Sequence, residues 1–179
     1  EGISHLHVGN IVHCDIKPEN LILTDKGRLK IADFGCAIDV ERVLDIPRGT
    51  TAYSAPELIV KKSTITVAVD LWSMACVWYA LWRMGQSPFD SSDSGDAQIV
   101  QGVETYCALD ADKRSAWLFD DKDESTTAAT ALGEQLIASL LHPVPTERLG
   151  TSDTKADSAK DMYPSIRKSL VWKGVDLEK

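Results

Sequence analysis

The chain has 179 residues, 44% hydrophobic and 26% charged, and its 19 Lys and Arg against 27 Asp and Glu leave a net charge of −8. Length and composition fit one globular domain, or one large piece of a domain. The acidic balance speaks against a nucleic-acid partner and against an anionic membrane surface, both of which need clustered Lys and Arg.

Gly2 to Val8 reads as the end of a helix that began earlier, with Ile3, Leu6 and Val8 on its apolar face and Gly9-Asn10 as its stop. Ile11-Val12 and Leu21 to Leu23 are short apolar runs separated by a polar loop. Thr24-Asp25-Lys26-Gly27 signals a turn, and Leu29 and Ile31 alternate with Lys30 beyond it. A hairpin turning at Asp25 to Gly27 is expected. Residues 36 to 56 read as irregular, punctuated by Pro47, Gly49 and Pro56. Helix resumes at Glu57 to Lys61, capped upstream by Ser54 or by the loop geometry.

Thr66 to Met84 is apolar on nearly every face, so a central buried helix is expected there, with Gly85 as its stop. Its longest apolar run, Leu71 to Trp82, is too short to span a bilayer. Trp72, Trp78 and Trp82 are expected in the core. Asp90 to Asp96 reads as a loop, Ala97 to Val103 as a weak helix, and Asp110 to Thr127, with the acidic run Asp120 to Glu124, as a mobile surface insertion. Ala128 to Leu141 is an amphipathic helix ending before His142-Pro143. Thr151 to Asp161 reads as a polar loop, and a short helix, Ser165 to Trp172, closes the chain. The expected class is mainly α with a small β-hairpin.

Glu1 to Asn10 lacks the charged start and apolar centre of a signal peptide. Cys14, Cys36, Cys76 and Cys107 show no CxxC spacing, which points to free thiols and an intracellular, cytoplasmic setting. His5, His7 and His142 have no partners at metal spacing.

The chemistry concentrates in His13-Cys14-Asp15-Ile16-Lys17-Pro18-Glu19-Asn20 and in Asp33-Phe34-Gly35. Either segment alone reads equally as a solvated loop. The hairpin changes that, because it returns its second strand beside its first and brings both segments to one end of the ribbon. Asn20 and Asp33 can then offer two hard oxygen ligands to one Mg²⁺, with water and phosphate oxygens completing the shell. Asp15 offers an acceptor for a hydroxyl proton, and Lys17 a positive charge for a transferring phosphoryl group.

His13 to Asn20 resembles the protein-kinase catalytic loop, with Cys14 in place of the usual Arg. Asp33-Phe34-Gly35 resembles the family's magnesium motif, and Ala55-Pro56-Glu57 the motif that ends the activation segment. Asp70-Leu71-Trp72-Ser73 resembles the start of the central helix, and Pro145 to Gly150 the loop whose Arg pairs with the Glu of Ala-Pro-Glu. The resemblance implies ATP and Mg²⁺ as cofactors and a protein substrate. It makes Asp15 and Lys17 catalytic, and Asn20 and Asp33 metal ligands. Lys17, Glu19, Asn20, Ile22 and Asp33 would line the nucleotide, with Ile22 on the apolar cleft floor, while Glu19 and Thr50 would meet the protein substrate. It also implies that Thr50 contacts Asp15 and Lys17, that His13 stacks on Phe34 beside Gly35, that Asp70 holds the catalytic-loop backbone, and that Glu57 and Arg148 form a buried pair.

The whole chain, residues 1–179, resembles only the larger C-terminal lobe of a kinase domain. No Gly-rich loop, strand Lys or paired helix Glu is present, so an N-terminal lobe is the expected partner and the chain is expected to be a fragment. Lys17 and Gly49-Thr50 favour a Ser/Thr kinase. Gly49 to Glu57 and Val171 to Asp176 look most like the cyclic-nucleotide-dependent and phosphoinositide-dependent group. Two departures matter. Cys14 replaces the Arg that reads an activating phosphate, and the usual phosphosite is Ile46, in a stretch, Cys36 to Arg48, without Ser, Thr or Tyr. Ala80 stands where strongly basophilic members carry Glu, which leaves a preference for Arg-rich substrates unsupported. Cys36 is expected as a packed small hydrophobe. The alternative to catalysis is a non-catalytic kinase lobe acting as a binding or scaffold module.

Overall fold

Along the chain of the computed structural model run α1 (Gly2–Val8), β1 (Ile11–Val12), β2 (Leu21–Leu23), β3 (Leu29–Ile31), β4 (Ile38–Asp39), α2 (Pro56–Ile59) and α3 (Ala68–Trp82). They are followed by α4 (Asp96–Ala108), α5 (Ala111–Phe119), α6 (Ala128–Leu140) and α7 (Pro164–Lys168). The structure describes residues 1–40, 49–59, 64–89, 95–119, 128–151 and 163–168. Within them the fold is mainly helical with little sheet, as the resemblance implies.

The expected hairpin is present. β2 and β3 pair antiparallel with Leu21 opposite Ile31, Ile22 opposite Lys30 and Leu23 opposite Leu29. Its turn closes with Gly27 at φ +70°, a backbone that a Cβ would strain. A second ladder was not expected. β4 lies within the stretch read as irregular and pairs antiparallel with β1, Ile11 opposite Asp39 and Val12 opposite Ile38. Two residues carry no readable alternation, and this pairing is fixed by tertiary burial of Val12 and Ile38.

α3 is the axis of the fold, with Val69, Leu71, Trp72, Ala75 and Cys76 fully buried. It is two residues shorter at each end than the pattern suggested. Beyond it Met84 and Gly85 take φ of +55° and +98°, and the Gly85 N–H donates to Ala80 O at 2.7 Å. The tryptophan series divides. Trp72 stacks on Phe89 at 5.4 Å between ring centroids, Trp78 is half-buried, and Trp82 is 42% exposed. Trp82 belongs to the helix end that runs past the core, and its ring covers the α6 backbone at Gly133, where a Cβ would meet it at 3.0 Å.

α4 extends well beyond Val103, because Tyr106 continues the buried stripe of Ile99 and Val103. Residues 111–119, expected as a mobile insertion, form α5 instead. Asp110 Oδ1 accepts the Lys113 N–H at 2.9 Å at its start, and Leu118 and Phe119 are buried at its end. Only the last residues of α5 face the core, so its sequence has no helical apolar stripe. Ser54 does not cap α2; its hydroxyl donates to Thr50 O at 3.0 Å. The Asp120 to Glu124 run, Lys61, residues 152–161 of the expected polar loop and the 169–172 end of the last helix lie outside the described residues, as does most of the Asp90 to Asp96 loop. Among the described residues no helix is long and apolar enough to cross a membrane. All four cysteines are free, and burial pushes the Cys107 thiol up to about 11 and the Cys76 thiol higher still.

Candidate active site

The site is built from the start of α3 outward. Asp70 lies in the first turn of that helix, fully buried, where the helix dipole favours its negative charge. Its Oδ2 accepts the His13 N–H at 2.8 Å and its Oδ1 accepts the Cys14 N–H at 2.9 Å. Those two bonds hold Cys14 at φ +63°, in the left-handed region that side chains other than Asn, Asp and His rarely adopt. Strain of this kind persists only where the surroundings over-determine it. Here it turns the chain so that the next residue, Asp15, enters the cluster below.

Asp15 is 8% exposed and surrounded by donors. Thr50 Oγ1 donates to its Oδ1 at 2.8 Å, Lys17 Nζ lies 3.1 Å from its Oδ2, and Asn20 Nδ2 donates to its backbone O at 2.8 Å and its Oδ2 at 3.1 Å. Lys17 Nζ also donates to Thr50 Oγ1 at 2.6 Å, so both expected Thr50 contacts are made. Burial pushes the Asp15 carboxyl up. The Thr50 and Lys17 hydrogen bonds, the Lys17 charge and the Asn20 amide outweigh it and hold the pKa below the ordinary aspartate value. Asp15 is therefore an anion at neutral pH, aimed by three polar side chains.

Gly49 makes the Thr50 contact possible. Its φ is +81°, and a Cβ there would lie 2.2 Å from the Cys14 carbonyl oxygen. Gly49→Ala must displace one loop or the other. We expect it to destabilise the fold by about 1–3 kcal/mol and to remove Thr50 from Asp15. A urea midpoint equal to wild type would show that the two loops are not locked together.

The hairpin brings the second segment alongside. The Ala32 N–H donates to Asn20 O at 2.9 Å, which seats the end of β3 against the His13 to Asn20 loop. Asp33 follows, exposed, at φ +58°, its Oδ1 accepting the Gly35 N–H at 3.1 Å. His13 is fully buried beneath it. Its Nε2 donates to Ala32 O at 3.1 Å and its Nδ1 accepts the Asp15 N–H at 3.3 Å, an assignment made from the partners. His13 meets Phe34 edge-on, at 5.1 Å and 61°, rather than stacked. It is a scaffold for the loop.

These residues fit Mg²⁺ and a nucleotide. Asn20 spends its amide nitrogen on Asp15, and among the described residues nothing engages its Oδ1. That oxygen and the exposed Asp33 carboxylate are hard ligands of the kind Mg²⁺ takes. Among the described residues no cluster of three His, Cys, Asp or Glu could hold a metal. Ile22 is 52% exposed on β2, an apolar surface beside these ligands. Glu19 is exposed in the 3-10 turn Pro18–Asn20 at the rim. Cys36 is half-buried against the core. Away from the cluster, Arg148 Nη1 donates to Glu57 Oε1 at 2.7 Å, so the expected pair is formed. Sequence reasoning missed His7 and Tyr163. His7 is bonded to Asp70 at 2.8 Å and also to the Tyr163 hydroxyl. Nothing in a lone helical His marks that contact.

The description "Protein kinase domain" fits residues 1–159 of this chain. The chain is similar to the serine/threonine-protein kinase GIN4 of Saccharomyces cerevisiae, 32% identical over 179 residues, 99% of this chain and 14% of that protein. It is similar to the serine/threonine-protein kinase chk-1 of Caenorhabditis elegans, 42% identical over 114 residues, 61% of this chain and 22% of that protein. It is also similar to the cell division control protein 2 homolog 3 of Trypanosoma brucei brucei, 37% identical over 127 residues, 66% of this chain and 38% of that protein. The chain thus spans well under half the length of these relatives.

Proposed function

From a chain that belongs to the protein kinase domain family, we propose a serine/threonine protein kinase whose C-terminal lobe is formed by residues 1–179, working with an N-terminal lobe that closes the nucleotide cleft. The observation that carries this reading is the single hydrogen-bonded cluster of Asp15, Lys17, Thr50 and Asn20 beside Asp33. Two relatives are named as serine/threonine kinases, which supports the choice of acceptor.

Mg²⁺, when bound, would neutralise negative charge on the phosphates. Asn20 Oδ1 and the Asp33 carboxylate would hold it. Asp15 orients the substrate hydroxyl and accepts its proton. Lys17 offsets negative charge on the transferring group, and Thr50 fixes the distance between Lys17 and Asp15. Ile22 supplies apolar floor to the nucleotide, and Glu19 and Thr50 face the protein substrate. The finer placement in the cyclic-nucleotide-dependent and phosphoinositide-dependent group rests on Gly49 to Glu57 and on Val171 to Asp176, the latter outside the described residues. The relatives reported above carry other names.

Cys14 is buried in the core, where an Arg would have to leave it to read a phosphate. With no hydroxyl side chain between Cys36 and Arg48, this kinase would be set active by packing rather than by phosphorylation of that stretch. Free buried thiols support an intracellular setting.

The test is transfer of labelled γ-phosphate from Mg-ATP to Ser or Thr of a generic protein acceptor by the complete domain, with Asp33→Ala as the control that removes transfer. Mg-ATP binding without transfer by the wild type would favour the non-catalytic binding module.

A further inference from the structure

The imidazole of His7, on α1, is buried and takes no part in the mechanism above. Its Nε2 lies 2.8 Å from Asp70 Oδ2, and its Nδ1 is hydrogen-bonded to the hydroxyl of Tyr163. Both oxygens of Asp70 accept backbone N–H groups, from His13 and Cys14, so Nε2 is the donor in the His7 contact. In the neutral imidazole Nδ1 is then the acceptor and the tyrosine hydroxyl its donor. The result is one directed chain. Tyr163 O–H donates to His7, His7 N–H donates to Asp70, and Asp70 accepts the backbone of His13 and Cys14, one residue from Asp15.

Two further features show that Tyr163 is held in place. Its backbone is left-handed, at φ +59°, which is an outlier for a bulky residue. Its ring and Ile166 close over Gly150, where a Cβ would meet Ile166 Cδ1 at 2.8 Å and Tyr163 Cδ1 at 3.0 Å. The same ring meets His7 edge-on, at 5.7 Å and 82°. An unfavourable backbone, a glycine cradle and a buried hydroxyl all serve one contact.

We infer that His7 and Tyr163 are positioning residues for phosphoryl transfer. The buried chain from Tyr163 through His7 fixes the Asp70 carboxylate, and with it the left-handed Cys14 backbone that aims Asp15. The docking of Tyr163 beside α7 is thereby coupled to the catalytic loop through α1 and α3. The effect on rate rests on the kinase reading above; the effect on the loop does not.

In the complete kinase, Tyr163→Phe removes the donor with little change in volume. We expect kcat to fall about 3–10-fold, the size of one lost buried hydrogen bond, with KM for ATP and peptide unchanged, because neither residue touches a substrate. His7→Gln keeps an N–H for Asp70 but loses Tyr163, and falls to the same level. The double variant loses no more than either single, as two links of one chain must. Amide exchange at His13 and Cys14 speeds up in both variants. That readout needs no activity, so a wild type that transfers no phosphate would sink the kinase reading and leave this inference to be decided by exchange. Unchanged kcat and exchange in Tyr163→Phe, or losses that multiply in the double variant, would overturn it.

Discussion

If the proposed kinase function holds, Asp15→Asn should lower kcat of the complete protein by about 10²–10⁴-fold, the usual contribution of a positioned general base. The amide keeps the shape of the carboxylate and can still accept from Thr50 at Oδ1, but its NH2 would face the Lys17 and Asn20 donors where Oδ2 now accepts. It cannot take a proton, and it no longer offers an anion to Lys17, 3.1 Å away. KM for ATP should stay within about threefold, since Asp15 is not among the residues assigned to the nucleotide. Stability gives a second readout. The folded-state pKa of Asp15 is depressed by its donors. Its ionised form therefore adds stability above about pH 4, the ordinary aspartate value, and that increment is lost as pH falls through the folded pKa. Urea midpoints should separate wild type from Asp15→Asn at neutral pH and converge in acid. A variant keeping more than a tenth of wild-type kcat, with transfer still to Ser or Thr, would remove Asp15 from the role of base.

Some of this was legible because chemistry of this kind is local. Asp15, Lys17 and Asn20 sit in one short loop, and a hairpin with Gly27 at its turn necessarily returns Asp33 to that loop. Thr50 and Arg148 were reachable only through the family resemblance, since nothing in their own neighbourhoods fixes a partner so far along the chain. The misses have the same cause in reverse. β4 is two residues long and exists because Val12 and Ile38 bury each other's ladder. α5 reads as polar because it meets the core through its last residues, Trp117, Leu118 and Phe119. Trp82 is as apolar as Trp72, yet it lies at the end of α3, past the point where the core closes. His7 resembles any helical histidine until α3 and Tyr163 are brought against it. Periodicity reports one element's own burial; these residues are defined by what arrives from elsewhere.

Arg148→Met should destabilise the fold by about 3–5 kcal/mol, read as a lower urea midpoint at an unchanged slope. Against a total of about 5–15 kcal/mol for a folded domain, that is a large fraction. The guanidinium is 1% exposed and uses every N–H it has. Nε donates to His142 O at 3.0 Å, Nη1 to Glu57 Oε1 and Ala68 O, both at 2.7 Å, and Nη2 to Glu57 Oε2 at 3.2 Å and Pro143 O at 3.4 Å. Its Cζ also lies 5.1 Å from the centre of the Trp72 ring. Arg148→Lys keeps the charge but has three donors and no plane, so it too should lose stability. Glu57→Gln should cost less, because the amide keeps one acceptor oxygen and Arg148 keeps its three backbone carbonyls. Glu57→Leu combined with Arg148→Met then separates the two contributions. It removes the stranded carboxylate, the part that apolar packing can replace, but leaves the carbonyls of Ala68, His142 and Pro143 unpaired. The double variant should therefore recover part of the loss and not all of it. Full recovery would assign the whole effect to the ion pair, and no recovery would assign it to the carbonyls. An Arg148→Met protein as stable as wild type would mean that neither holds Ala55-Pro56-Glu57 in place.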